Sequence, residues 1–128
     1  MISAEFTRII DRQSGYHFIP HTKKEDWGIS IHFMEINGNG YGRIYQYSDD
    51  LKTYYIEGIS VSPKVRRLGM AATFMNLIYQ LAISDGIRSL ILKVKKDSWV
   101  VDWYLRLGYR HFKECEEEKE YCWMRKKL

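Results

Sequence analysis

From Trp27 to Ile36, Ile29, Ile31 and Phe33 alternate with Ser30, His32 and Met34. Period two puts them on opposite faces of a half-buried strand. Asn37-Gly38-Asn39-Gly40 follows, a run tolerant of positive φ that predicts a hairpin turn. Tyr41 to Tyr47 reads as the returning strand, Ser48-Asp49-Asp50 as a second turn, and Thr53 to Val61 as a third strand rich in aromatic and β-branched residues. After Pro63 the period changes. Met70, Phe74, Leu77, Ile78 and Leu81 recur at three and four, the apolar stripe of a helix. Asp85-Gly86 closes it, with Gly86 suited to the left-handed position after a helix end.

Ser89 to Lys95 is a short strand whose apolar front half predicts cover on both faces. Asp97 or Ser98 caps a short helix running to about Leu107, and Gly108 ends it. Tyr109 to Cys115 and Lys119 to Lys126 form a last hairpin around Glu116-Glu117-Glu118. The first 25 residues give no single pattern: Glu5 to Asp11 fits a short strand or a turn or two of helix, and Pro20 ends whatever precedes it. The order is three meandering strands, helix, strand, helix, hairpin. Its strand–helix–strand unit, from Tyr54 to Val94, places two parallel strands side by side. The expected fold is a single α/β (α+β) domain over residues 1–128, with a mixed, mainly antiparallel sheet and one parallel pair.

Composition narrows the class. The chain has 128 residues, 45% hydrophobic and 28% charged, enough for a core of its own and unlike a disordered segment. No apolar run reaches the roughly 18 residues of a membrane span. The start, Met1-Ile2-Ser3-Ala4-Glu5, lacks the basic flank and apolar stretch of a secretory signal, so a cytoplasmic setting is expected, with Cys115 and Cys122 as free thiols. The formal charge of +4 suits an anionic ligand without specifying one.

The segment with the most chemistry is Val61-Ser62-Pro63-Lys64-Val65-Arg66-Arg67-Leu68-Gly69-Met70-Ala71, where a strand becomes a helix. Unpaired N–H groups and the helix dipole make such a start an anion site. Gly69 removes a Cβ from the approach, Ala71 keeps the first turn slim, and Arg66 and Arg67 add positive charge. No Gly-Lys-Ser/Thr follows, so this is not a Walker A loop. Gly38-Asn39-Gly40-Tyr41-Gly42 lies between antiparallel strands and reads as a hairpin rather than a dinucleotide loop.

The loop resembles the acyl-CoA pyrophosphate loop of the GNAT superfamily of N-acetyltransferases, Arg/Gln-x-x-Gly-x-Gly/Ala, which Arg66, Gly69 and Ala71 fill. Trp103-Tyr104-Leu105-Arg106-Leu107-Gly108-Tyr109 resembles that family's Tyr-x-x-x-Gly-Phe helix end, and Trp123 to Leu128 is similar to its last strand. The resemblance covers about Thr53 to Leu128. It implies that the parallel strands splay and that acetyl-CoA, as co-substrate, lays its pantetheine arm in the gap. Ile59 and Val61 would make main-chain contacts with the arm, and the N–H groups of Arg66, Arg67, Leu68, Gly69, Met70 and Ala71 would hold the pyrophosphate. A main-chain N–H near Ile59 or Ser60 would polarise the thioester carbonyl. An amine then attacks directly, with no metal and no covalent enzyme intermediate.

Two side chains complete the implied chemistry. Tyr104 matches the family's tyrosine near the sulfur and would protonate the leaving thiolate. Glu57 would take the amine's proton; strict alternation puts it on the face of Ile59 and Val61, at the cleft, although an exposed strand carboxylate has the same signature. The chain departs from the family at three places. Arg67 stands where glycine is frequent. Asp97 stands where asparagine is frequent and has no N–H to offer the arm. Only about 25 residues precede the second family strand, where the family has a strand and two helices. The acceptor side is therefore short, which implies an open site for a small-molecule or peptide amine, or one completed by a second copy in a homodimer.

Other residues read more plainly. His17 and His21 have metal-like spacing, but Pro20 lies between them and no acidic ligand is near, so no metal is expected. His32 and His111 read as ordinary strand residues. Lys93, Lys95 and Lys96 are either a site for the 3′-phosphate of CoA or a solvated strand end. Tyr41, Tyr45, Tyr47, Tyr54 and Tyr55 either line an acceptor groove or pack across strands. The acidic run from Glu114 to Glu120 weighs against nucleic acid. Two rival readings stand beside the enzyme: a non-catalytic acyl-CoA-binding or regulatory module, and a basic protein- or nucleic-acid-interaction domain.

Overall fold

The computed structural model describes residues 18–65 and 69–128. Among the described residues, seven strands form one sheet: β1 (Phe18–Glu25), β2 (Gly28–Glu35), β3 (Gly40–Tyr47), β4 (Thr53–Val61), β5 (Ser89–Lys95), β6 (Arg110–Glu114) and β7 (Tyr121–Lys127). Two α-helices of the described residues, α1 (Met70–Ser84), preceded by a 3-10 turn at Pro63–Val65, and α2 (Val100–Arg106), lie between β4 and β5 and between β5 and β6. The sheet order is β1-β2-β3-β4-β5-β7-β6, and among these described strands only β4 and β5 pair in parallel. The expected mixed α+β class is what the fold shows.

The first strand is a correction. Pro20 does not end a segment; it sits inside β1, opposite Phe33. β1 is an edge strand, where a missing N–H need break no ladder bond. Its inward residues are too few to alternate visibly: Phe18 alone is buried. Asp26 and Trp27 then turn the chain straight into β2, so no helix stands between these strands. Glu5 to Asp11 and His17 lie outside the described residues.

The helix stripe packs as its period requires: Met70, Phe74, Leu77, Ile78 and Leu81 are all buried. They meet Ile31, Phe33, Ile44, Tyr54 and Ile56 on one face of the sheet, the near face. Contact is close because glycines leave room: a Cβ on Gly42 would lie 2.2 Å from Phe74 Cζ. At the end of α1, the Asp85 N–H donates to the Leu81 carbonyl and the Tyr54 hydroxyl donates to Asp85 Oδ2 at 2.5 Å. Leu90, Ile91 and Leu92 are buried in succession, as expected for a strand covered on both faces. Ser98, rather than Asp97, makes the bond that opens α2: its Oγ accepts the Val100 N–H at 3.3 Å. Half-buried residues of α2, including Val100, Trp103 and Tyr104, join the near-face core.

Candidate active site

The site begins where the parallel pair ends. β4 and β5 are in register from Thr53↔Ser89 to Ile56↔Leu92. β5 then continues to Lys95 along β7, while β4 continues to Val61 along β3. The two strands part beyond Ile56, and a cleft of about 840 Å³ opens there. Its walls are Ile59, Ser60 and Val61 of β4, Gly69 to Ala72 at the start of α1, and Trp99, Val100, Trp103 and Tyr104 at α2.

A β-bulge shapes the β4 wall. Tyr41 pairs with Ser60 and Arg43 with Glu57, so β4 carries one residue more than β3 between these pairs. Gly58 absorbs it with φ +71°, a conformation that costs other residues about 1–2 kcal/mol. The extra residue also reverses the alternation. Val61 pairs with Gly40, which faces Met70 on the near face. Glu57 pairs with Arg43, next to the Ile44↔Ile56 pair that faces the core, and so points to the far face. The expectation that Glu57 shares a face with Ile59 and Val61 is thereby corrected. Its Oε1 instead accepts from Arg43 at 2.9 Å.

At the opposite wall, Gly69 caps α1 with φ +82°, and a Cβ there would meet nothing within 4 Å. The first turn of α1 holds no acidic side chain. Its leading N–H groups and positive dipole end therefore face the cleft without a competing carboxylate, a fit for an anion such as a pyrophosphate. Ala71 and Ala72 keep this wall low, whereas the Met70 side chain turns into the core beneath Gly40. Arg66, Arg67 and Leu68 lie outside the described residues.

Tyr104 stands in the cleft between Trp103 and Tyr109, at ring distances of 5.1 and 5.8 Å. Burial pushes its phenol above the ordinary tyrosine value. Asp97 is exposed and outside the lining; Trp99, two residues on, takes a place there. Ser60, expected there through its main chain, is in the lining, and Ala72, Trp99, Val100 and Trp103 are lining residues not expected from the sequence. The spacing of Val100, Trp103 and Tyr104, three and then one, marks one face of α2 and is the signal that points to them.

Other candidates fall elsewhere. Lys93 pairs with Glu118 at 2.5 Å and Lys96 with Glu114, so hairpin carboxylates already meet two lysines of the basic run. Tyr54 is buried on the near face, whereas Tyr45 and Tyr55 stack 5.1 Å apart on the far face. Cys115 and Cys122 are free and buried. Among the described residues no three His, Cys, Asp or Glu side chains gather as a metal site, and no helix is long and apolar enough to cross a membrane.

The comparisons with known proteins agree with this geometry. Residues 5–109 match the family described as the acetyltransferase (GNAT) family. No curated protein sequence matches the chain. Among solved structures, the chain is similar to a GNAT family acetyltransferase from Elizabethkingia anophelis with acetyl-CoA bound, with a TM-score of 0.67 and 15% identity, covering 88% of this chain and 98% of that one. It is also similar to Ard1 from Thermoplasma volcanium, with a TM-score of 0.64 and 16% identity over 77% of this chain and 70% of that one. PaiA N-acetyltransferase from Thermoplasma acidophilum, in complex with coenzyme A, gives a TM-score of 0.62 at 13% identity over 77% and 60% of the two chains. At such identities the likeness concerns the fold.

Proposed function

The chain belongs to the acetyltransferase (GNAT) family, and from that premise we propose that it transfers an acetyl group from acetyl-CoA to a primary amine by direct attack on the thioester. The observation that carries the reading is the cleft at the parting of β4 and β5, with the start of α1 at one wall and Tyr104 at another. The acetyl-CoA complex among the structural neighbours supports the co-substrate.

In this reading the first turn of α1, with Arg66, Arg67 and Leu68 ahead of it, holds the pyrophosphate. Ile59 and Val61 present main chain to the pantetheine arm, and an N–H at Ile59 or Ser60 polarises the carbonyl. The amine enters from the far face through the gap between the strands. Glu57, turned to that face by the bulge, serves as counter-ion to the ammonium beside the base that takes its proton. Tyr104 gives its proton to the leaving thiolate. Its raised pKa keeps it protonated through neutral pH, as a donor must be. This route uses no metal. The acceptor is a small-molecule or peptide amine, with a homodimer as one way to complete its site. Free Cys115 and Cys122 suit a reducing, cytoplasmic setting.

Calorimetric titration with acetyl-CoA, with desulfo-CoA and ATP as controls, tests the cofactor half. Saturable micromolar binding of acetyl-CoA but not ATP is expected; no binding by the folded protein up to millimolar concentration overturns the reading. Tyr104→Phe should lower kcat about 10- to 100-fold with little change in acetyl-CoA affinity. The two-residue turn between β1 and β2 favours one second reading, an acyl-CoA-binding module without an acceptor half. Binding without thioester cleavage, in water or with any amine of a broad panel, would select it.

A further inference from the structure

The far face carries a row of ionisable side chains that leads to the bulge. In register across β1, β2, β3 and β4 stand His21, His32, Arg43 and Glu57. One alternate position along β3 from Arg43, and so on the same face, stands Tyr41. Its hydroxyl lies 2.6 Å from His32 Nδ1. Tyr41 pairs with Ser60, and its ring carbon Cε1 lies 3.8 Å from where a Cβ on Gly58 would be. The Tyr41 ring therefore sits over the turn of backbone that opens the cleft. Glu57 Oε1 is already bonded to Arg43, an arrangement better suited to holding an ammonium than to accepting its proton.

We propose that Tyr41 and His32 form a proton relay on the acceptor side, Tyr41 handing the amine's proton to His32 while Glu57 holds the ammonium at the bulge. The inference rests on the acetyl-transfer reading above and specifies where its proton goes. With His32 in the Nε2–H tautomer, Nδ1 accepts the Tyr41 hydroxyl. The ammonium gives a proton to Tyr41 Oη as the Tyr41 proton passes to Nδ1. The amine nitrogen regains its lone pair and attacks the carbonyl; as the C–S bond breaks, the nitrogen's second proton replaces the one Tyr104 gives to the thiolate, and the imidazolium later yields one proton to solvent and returns to the Nε2–H tautomer. Charge is conserved at each step, and no co-reactant is needed.

The surroundings of His32 favour this use. His21 and Lys23 face it from β1, Arg43 and Tyr41 from β3, and Glu57 from β4. Burial first, then Arg43, His21 and Lys23, lower its pKa from the ordinary value, against the opposing pull of Glu57. The imidazole is neutral, and able to accept, through neutral pH.

The test is the pH dependence of thiol release from acetyl-CoA, with an amine panel and with water alone as acceptor, for the full chain and for His32→Gln, Tyr41→Phe, their double variant and Glu57→Gln. Thermal unfolding confirms that each is folded. The relay predicts an acid limb in kcat/KM below about pH 6.5. It predicts a loss of about 10- to 100-fold in each single variant with that limb removed, and a double variant no worse than either single one. Single variants with wild-type rates and an unchanged limb would overturn the relay. So would a limb that vanishes only in Glu57→Gln, which would leave acetyl transfer intact with Glu57 as sole base. Failure of the acetyl-transfer reading looks different: acetyl-CoA does not bind, or binds without any thioester cleavage, and the relay falls with it.

Discussion

The two halves of β4 differ although they are continuous in sequence. Thr53 to Ile56 is paired with β5 throughout and, at Tyr55 and Ile56, with β3 as well, with Tyr54 and Ile56 in the core. Glu57 to Val61 keeps β3 but parts from β5, and its residues are exposed or half-buried. The first half spends its backbone groups and side chains on the fold. The second half gives up its pairing with β5, at the place where Gly58 bends the chain, and lines the cleft instead. The bulge in the β3–β4 ladder falls where β4 leaves β5, and it re-aims the side chains beyond it.

The strongest challenge to this division is a pair of truncations on either side of it. Leu92→Ala, which removes the partner of Ile56, should cost about 2–5 kcal/mol and lower Tm by many degrees, read by calorimetry. Ser60→Ala, in the second half, should stay within about 0.5 kcal/mol. Equal losses would erase the distinction. A middle-sized effect is expected at the boundary. Gly58→Ala meets only ordinary contact at Tyr41, so its cost should be the backbone's own, about 1–2 kcal/mol. Its acetyl-CoA affinity should fall by more than stability alone explains, because relaxing the bulge moves Ile59 and Ser60. The smallest effect sharpens the comparison at the opposite wall. Ala72→Glu places a carboxylate in the first turn of α1, where it should stabilise the helix by about 0.3–1 kcal/mol. The same charge should weaken acetyl-CoA binding several-fold at low salt, and less at high salt. Opposite signs for Tm and affinity would locate the anion at that helix start; parallel signs would remove it.

Much of this is legible along the chain. The stripe from Met70 to Leu81 gives the helix and its buried face, because apolar residues at a 3.6-residue period line up on one side only when the chain is helical. The hairpin at Asn37 to Gly40 is marked by turn chemistry, and the last hairpin by the acidic run Glu116 to Glu118 that breaks the strand pattern. The helix start at Met70, which walls the cleft, is legible too, since a strand-to-helix junction is local. Three features are not legible. β1 is hidden because an edge strand buries little and tolerates Pro20. Trp99, Val100 and Trp103 escape assignment to the cleft, since the spacing of Val100, Trp103 and Tyr104 marks one face of α2 but not what that face meets. Glu57 falls on the wrong face when alternation is extended through a bulge that only the pairing with β3 reveals.

Sequence alone determined the identity and order of most elements, the parallel pair and the helix start that faces the cleft, because each depends on residues a few positions apart. The tertiary structure decided which strand lies between β5 and β6, where β4 leaves β5, and which face carries Glu57. Those depend on the register between distant segments, and one extra residue in a pleated strand turns every side chain beyond it to the other face.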